Sequence, residues 1–168
     1  DRIEARVINK MGRAAVDSNE LFIDNLKVPI KDLIGEEGNG FSYLIHSLNP
    51  ERILVAAEAY GIAKNALDRA ISYANERVVF NRKIGKNQSI QHPLADAWAK
   101  LESVKLLILK AASLCDKDLQ CGAESNAAKY LAAEYGMEIC KQAIATHGGM
   151  GYAKEYHVER LFREMMIP

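Results

Sequence analysis

The sequence predicts a mainly α protein: an up-and-down four-helix bundle preceded by a short β segment. Three observations predict it. Through most of the chain apolar residues recur at three- and four-residue steps, the spacing of helices that each bury one face. The connections between these periodic stretches are short, which favours antiparallel neighbours. The first 35 residues instead alternate apolar and polar positions, the period of a strand. The expected division is residues 1–35 for the strands and 36–168 for the bundle.

Taken in order, RIEARVI (2–8) alternates charged and apolar residues, and ELFIDNLKVP (20–29) does so around Leu21 and Ile23 before Pro29. MGRAAVDSN connects them. Two or three strands are marginal alone, so this piece is expected to belong to a larger sheet. Gly35, Gly38 and Gly40 then mark a loop, and FSYLIHSL a short helix. Asn49-Pro50 reads as a fresh start, with Asn as N-cap and Pro at the first helical position. Ile53, Ala56, Tyr60, Ala63, Leu67, Ala70 and Ala74 form the inward stripe of the first long helix. FNRKIGKNQ is non-helical. Leu94, Trp98, Leu101, Val104, Ile108, Ala111 and Cys115 mark a second helix, broken near Gly122. A third runs from Ala123 to about Thr146 on Ala127, Leu131, Tyr135, Ile139 and Ala143, and a fourth starts near Tyr156. Trp98 is expected in the bundle core, and Cys115 and Cys140 as packed small hydrophobes.

Composition narrows the function. Lys and Arg number 22, equal to Asp and Glu, so no basic surface for nucleic acid or anionic membrane is expected. The apolar runs are too short to span a bilayer. Three cysteines without a CxxC pair point to a reducing compartment rather than a disulfide framework. The chain opens on Asp1 and stops at Pro168 straight after HVERLFREMMI, so a piece of a longer protein is expected. No metal is expected, since none of His46, His92, His147 or His157 has a Glu three residues before it.

Two stretches remain that need a reason. In ERVVFNRKIGKNQSIQHPLAD (76–96), Arg77 and Phe80 lie beside amide donors, and a helix starts at Gln88. A planar guanidinium beside an aromatic suits a diphosphate joined to a ring, and a helix N-terminus offers free N–H groups. The alternative is that the basic residues partner the helix dipole and solubilise the loop. QAIATHGGMGY (142–152) places three glycines in four positions after a helix, either as a helix stop or as backbone approached by a ligand. His147 there reads best as a cap on the helix C-terminus.

Residues 49–98, NPERILVAAEAYGIAKNALDRAISYANERVVFNRKIGKNQSIQHPLADAW, followed by THGGMGYAKEYHVERLFRE, strongly resemble the acyl-CoA dehydrogenases. LFIDNLKVPIKDLIGEEGNGF resembles the segment that leaves their middle β-domain. The resemblance implies a carboxy-terminal helical domain with the tail of the β-domain, from an FAD-dependent flavoenzyme. It implies that Arg77, Phe80 and Gln88 contact the diphosphate region of FAD. It also implies that Ala145, Thr146, His147, Gly148 and Gly149 form a second FAD-contacting segment, supplied by the neighbouring subunit. Asn81 stands where the family usually has Gly, and Ala145 where a Gln is common.

The reaction implied is oxidation of an acyl-CoA to the trans-2-enoyl-CoA, with electrons passed to an electron-transfer flavoprotein. Most of the family carries its catalytic Glu beyond the point where this chain stops. A minority resembling isovaleryl-CoA dehydrogenase place it where Glu51 stands, making Glu51 the candidate base and Asn49, Pro50 and Arg52 candidate substrate-binding residues. A Glu in a first helical turn is also what the macrodipole favours, so that plainer reading stands beside the catalytic one. The resemblance further implies a homodimer or homotetramer in a bacterial cytoplasm or the mitochondrial matrix, with this chain inactive by itself. Rival readings are an oxidase that returns electrons to oxygen, and a helical domain that serves only oligomerisation or partner binding.

Overall fold

A computed structural model describes residues 2–168. The chain divides into two compact units, one ending at Ser47 and the other running Leu48–Pro168. In the first, β1 (Ile3–Val7) pairs antiparallel with β2 (Asn19–Ile23), in a register that sets Ile3 opposite Ile23 and Ala5 opposite Leu21. Every residue of both strands is exposed.

The helices are α1 (Gly40–Glu76), α2 (Gln88–Cys115), α3 (Gly122–His147) and α4 (Val158–Glu164). The mainly α, four-helix expectation is met. The expected restart at Asn49-Pro50 is not, because α1 runs through it without a break and holds Pro50 in its interior. Pro50 has no N–H to offer the turn before it, a defect that usually costs about 3 kcal/mol. Asn49 does not cap. Its Oδ1 instead accepts from Arg52 Nη1 at 3.2 Å and lies 3.4 Å from Ser125 Oγ on α3. The helix therefore crosses a costly residue where its side chains are tied to a neighbour.

On α1 the buried residues are Ile53, Ala56, Ala59, Ala63, Ala66, Leu67, Ala70 and Ala74. This nearly all-alanine stripe lets neighbouring elements approach closely. On α2 they are Leu94, Ala97, Leu101, Val104, Ile108 and Ala111, a strict three-four alternation. Trp98 is accordingly not core: it is 60% exposed, and Ala97 takes the inward place. On α3 the inward row is Ala128, Ala132, Gly136, Cys140 and Ala143 with Ile139, while Ala127, Leu131 and Tyr135 are only half-buried beside it. Small residues win because space is tight. A Cβ at Gly136 would lie 2.7 Å from the Met165 side chain. These faces and α4 share one apolar cluster, in which Ile139, Val104 and Val158 are the largest fully buried side chains. Each contributes about 1.5–3 kcal/mol through burial.

The α2–α3 connection closes without glycine. Asp118 takes the left-handed conformation at φ 54°, and Leu119 N–H donates to the Leu114 carbonyl at 3.0 Å. Lys100 bridges the two helices through Asp96 at 3.0 Å and Glu138 at 2.6 Å. After α3, short 3₁₀ turns at Gly148–Tyr152 and Lys154–Tyr156 lead to α4, which starts two residues later than expected and spans only 7. No helix is long and apolar enough to cross a membrane among the described residues.

Candidate functional site

The segment after α1 is a two-residue hairpin. β3 (Val78–Val79) pairs with β4 (Arg82–Lys83), setting Val79 opposite Arg82. The intervening Phe80 and Asn81 both have positive φ, 50° and 61°. Two consecutive left-handed residues define the tight turn that matches strand twist. Asn81 thus adopts the conformation for which a glycine would be the easy choice, so the departure from Gly leaves the turn intact. For Phe80 this backbone is costly, about 1–3 kcal/mol, and the ring recovers nothing by packing because it is 95% exposed. A large apolar ring held outward by a strained turn is placed to meet something outside the chain.

Gly85 holds this hairpin against α1: a Cβ there would sit 2.8 Å from the Ala74 carbonyl oxygen. Ile84 N–H donates to the Arg77 carbonyl at 2.9 Å, and Gln91 Nε2 to the Gly85 carbonyl at 2.7 Å. Arg77 is thereby fixed at the end of α1. Facing it is the end of α3. Arg77, Tyr73, Val79 and Ile84 line one side of a cavity of about 410 Å³, and Ala145, Thr146, His147, Gly148, Gly149 and Met150 the other.

Within that wall the residues differ. Thr146 is buried, and its hydroxyl donates to the Gln142 carbonyl of its own helix at 2.9 Å. His147 is 5% exposed, stacks on Tyr73 at 4.3 Å and meets Tyr156 edge-on. Its Nδ1 lies 2.7 Å from the Ala143 carbonyl and so carries the proton, a side-chain bond one turn back within α3. The cap expected of His147 is instead made by Gly148, whose N–H donates to the Ala145 carbonyl.

The three glycines part company. Gly148 has φ 59°, a backbone reason of its own. A Cβ on Gly151 would lie 2.4 Å from the Ile144 carbonyl oxygen, a packing reason. Gly149 has neither: its φ is ordinary, and nothing lies within 4 Å of the missing Cβ. Gly149 lines the open cavity.

The other expected residues lie apart from this cavity. Gln88, the first residue of α2, is exposed and does not line it; nor does Phe80. Glu51 is exposed on α1, about three turns from the helix start. The macrodipole therefore does not explain it, since that effect fades within the first turn. Pro50 is exposed beside it, while Asn49 and Arg52 are half-buried and bonded to each other. Along the continuous α1, Glu51 and Arg77 stand about 39 Å apart. Tyr73 and Tyr156, which wall in His147, carried no motif and were not legible as site residues. No three of His, Cys, Asp and Glu gather as for a metal among the described residues.

With the geometry in view, the likeness to known proteins is specific. The sequence profile of "Acyl-CoA dehydrogenase, C-terminal domain" matches residues 38–168. The chain belongs to the acyl-CoA dehydrogenase family. It is 40% identical over 159 residues to the caffeyl-CoA reductase-Etf complex subunit CarC of Acetobacterium woodii, covering 95% of this chain and 42% of that protein. It is 40% identical over 158 residues to an acyl-CoA dehydrogenase of Bacillus subtilis, covering 94% and 42%. The solved structure of butyryl-CoA dehydrogenase from Megasphaera elsdenii superposes with a TM-score of 0.95 at 35% identity, covering 99% of this chain and 44% of that one. The chain thus spans less than half the length of the relatives it matches.

Proposed function

We propose that this chain is the carboxy-terminal part of an FAD-dependent enzyme that oxidises an acyl-CoA to the trans-2-enoyl-CoA. The observation that carries the proposal is the cavity between Arg77 and Ala145–Gly149, whose one glycine without an internal reason, Gly149, faces open space. A cation on one wall and bare backbone on the other fit a diphosphate that approaches closely. Arg77 would pair with the diphosphate, and Gly148 and Gly149 would admit it without a Cβ. The Phe80 ring would lie against the cofactor from the hairpin tip, and Gln88 would offer its amide. Ala145 has only backbone to give, and Thr146 and His147 would shape the wall through the bonds they make within α3.

FAD, when bound, supplies the acceptor for the β-hydride. Glu51 would take the α-proton onto a carboxylate oxygen. Arg52, held by Asn49, would line the acyl-CoA site together with Asn49 and Pro50. The 39 Å between Glu51 and Arg77 is too long for one chain to bring both ends to the same flavin. It supports a homodimer or homotetramer in which Glu51 serves one flavin while Arg77, Phe80 and Gly149 hold a neighbour's. Electrons would leave to an electron-transfer flavoprotein, as the name of the Acetobacterium relative supports. That name also favours a second reading, the same chemistry run as enoyl-CoA reduction.

In the full-length protein, Arg77→Gln should purify with markedly less FAD than wild type, and Glu51→Gln with full FAD but no turnover. A fully flavinated Arg77→Gln protein would count against the cofactor site, and a turning-over Glu51→Gln protein against the base. Initial rates with acyl-CoA and oxidised electron-transfer flavoprotein, set against enoyl-CoA and the reduced flavoprotein, separate the two directions.

A further inference from the structure

α2 carries a second regular stripe, which the described residues leave open to solvent. The buried row of α2, from Leu94 to Ala111, faces the core. One residue further on, Ala95, Trp98, Glu102, Lys105, Leu109 and Ala112 repeat the same three-four alternation. At 3.6 residues per turn these six fall within about 100° of arc, turned about 100° from the buried row. Lys100 and Lys110 reach Glu138 and Glu124 on α3, so α3 lies against the opposite flank of the helix. Ala95, Trp98, Lys105 and Leu109 are exposed, and Glu102 and Ala112 are half-buried.

A lone exposed leucine is ordinary on a protein surface. The order of this stripe is not. Read backwards about a centre between Ser103 and Val104, it runs Ala, Leu, Lys, Glu, Trp, Ala. Small answers small, large apolar answers large apolar, and base answers acid. A two-fold axis through that centre therefore matches the stripe to itself, as a contact between identical subunits requires. Steps of three and four are the spacing by which two helices share a seam. Glu102 and Lys105 stand 3.7 Å apart within the chain, a loose pair that is worth little at the surface and leaves both open to a second partner.

We propose that this stripe pairs antiparallel with the same stripe of a second copy of the chain. Trp98 seats on Leu109 of the second copy, and Glu102 meets Lys105 of that copy, each contact occurring twice about the axis. The two Trp98 rings are the anchors, since a large aromatic that loses its water on association contributes most at such contacts. The charges fix the register, because a slip of one turn along α2 brings the pairs out of line. The contact gives the homodimer or homotetramer proposed above a specific face, and in that sense rests on it.

The test mixes two single variants of the full-length protein with its cofactor. Glu102→Lys sets lysine against lysine across the seam, and Lys105→Glu sets glutamate against glutamate. Each should weaken subunit association about tenfold or more, read by sedimentation on dilution. Trp98→Ala, which adds no charge, should weaken it as well. Mixing the two charge variants sets the basic stripe of one against the acidic stripe of the other, and native mass spectrometry should show the assembly return as mixed species. The Glu102–Lys105 pair within the chain is broken in both variants, so that return comes only from a contact between chains. Single variants that assemble as wild type does, a mixture that stays apart, or a monomeric wild type would overturn the contact. A flavin-free protein without acyl-CoA turnover that still shows the whole pattern would sink the proposed function and leave the contact standing. An active flavoenzyme whose single variants assemble unchanged would do the reverse.

Discussion

Replacing Gly149 and Gly151 separately by alanine in the full-length protein divides a ligand-facing glycine from a packing one. At Gly151 the new Cβ would stand 2.4 Å from the Ile144 carbonyl oxygen and 3.0 Å from its carbonyl carbon and Cα. Those atoms are backbone in the last turns of α3 and cannot swing aside. The cost of such overpacking is about 1–3 kcal/mol, a drop of several degrees in the Tm of the apo-protein. At Gly149 the Cβ meets nothing and the backbone is one alanine adopts freely, so the apo-protein should be unchanged or steadier by about 0.4–1 kcal/mol. Its cofactor affinity should nonetheless fall. A methyl group placed where a diphosphate must approach carries a similar clash of about 1–3 kcal/mol, a Kd for FAD roughly 5- to 150-fold weaker. Thermal unfolding of the deflavinated proteins and FAD titration supply the two readouts. A Gly149→Ala protein that binds FAD as tightly as wild type would refute the argument, as would one that unfolds early without it.

Phe80→Ala should lower FAD retention and leave apo-protein stability within about 0.5 kcal/mol, since the ring packs on nothing within the chain. Ile139→Ala, at a position 2% exposed, should cost about 2–5 kcal/mol in chemical denaturation. Arg163, bonded to Glu159 at 2.8 Å, holds that carboxyl below its usual range. This stabilisation is complete above the ordinary carboxylate pKa and disappears as pH falls through the depressed one. Wild type should therefore lose more stability than Glu159→Gln between about pH 5 and pH 3, read from urea midpoints.

Helix identity was legible because burial imposes a period, and α1 shows it best: six of its seven expected inward positions are buried, with Tyr60 half-buried against them. Which of two adjacent residues faces in was less legible. Trp98 fits a four-residue step from Leu94, but the heptad alternation chooses Ala97. On α3 apolarity pointed to Leu131 and Tyr135, whereas close packing demanded Ala132 and Gly136. Pro50 misled because its local preference for a helix start yields to the continuous helix and the Asn49 side-chain ties. At the candidate site, Arg77 and the Ala145–Gly149 segment were each legible as motifs 68 or more residues apart, but no local pattern says that they wall one cavity. The sequence also treats the three glycines alike. Their separate reasons appear only once the Ile144 carbonyl and the open wall are in place.

Anaerobic mixing of the full-length protein with acyl-CoA tests whether acyl-CoA is oxidised at a flavin with Glu51 as base. The flavin absorbance should bleach as trans-2-enoyl-CoA appears, and Glu51→Gln, equally yellow, should neither bleach nor exchange the α-proton with solvent deuterium. A wild-type flavin that stays oxidised across a series of acyl-CoA chain lengths, or a Glu51→Gln protein that bleaches at the wild-type rate, would contradict it.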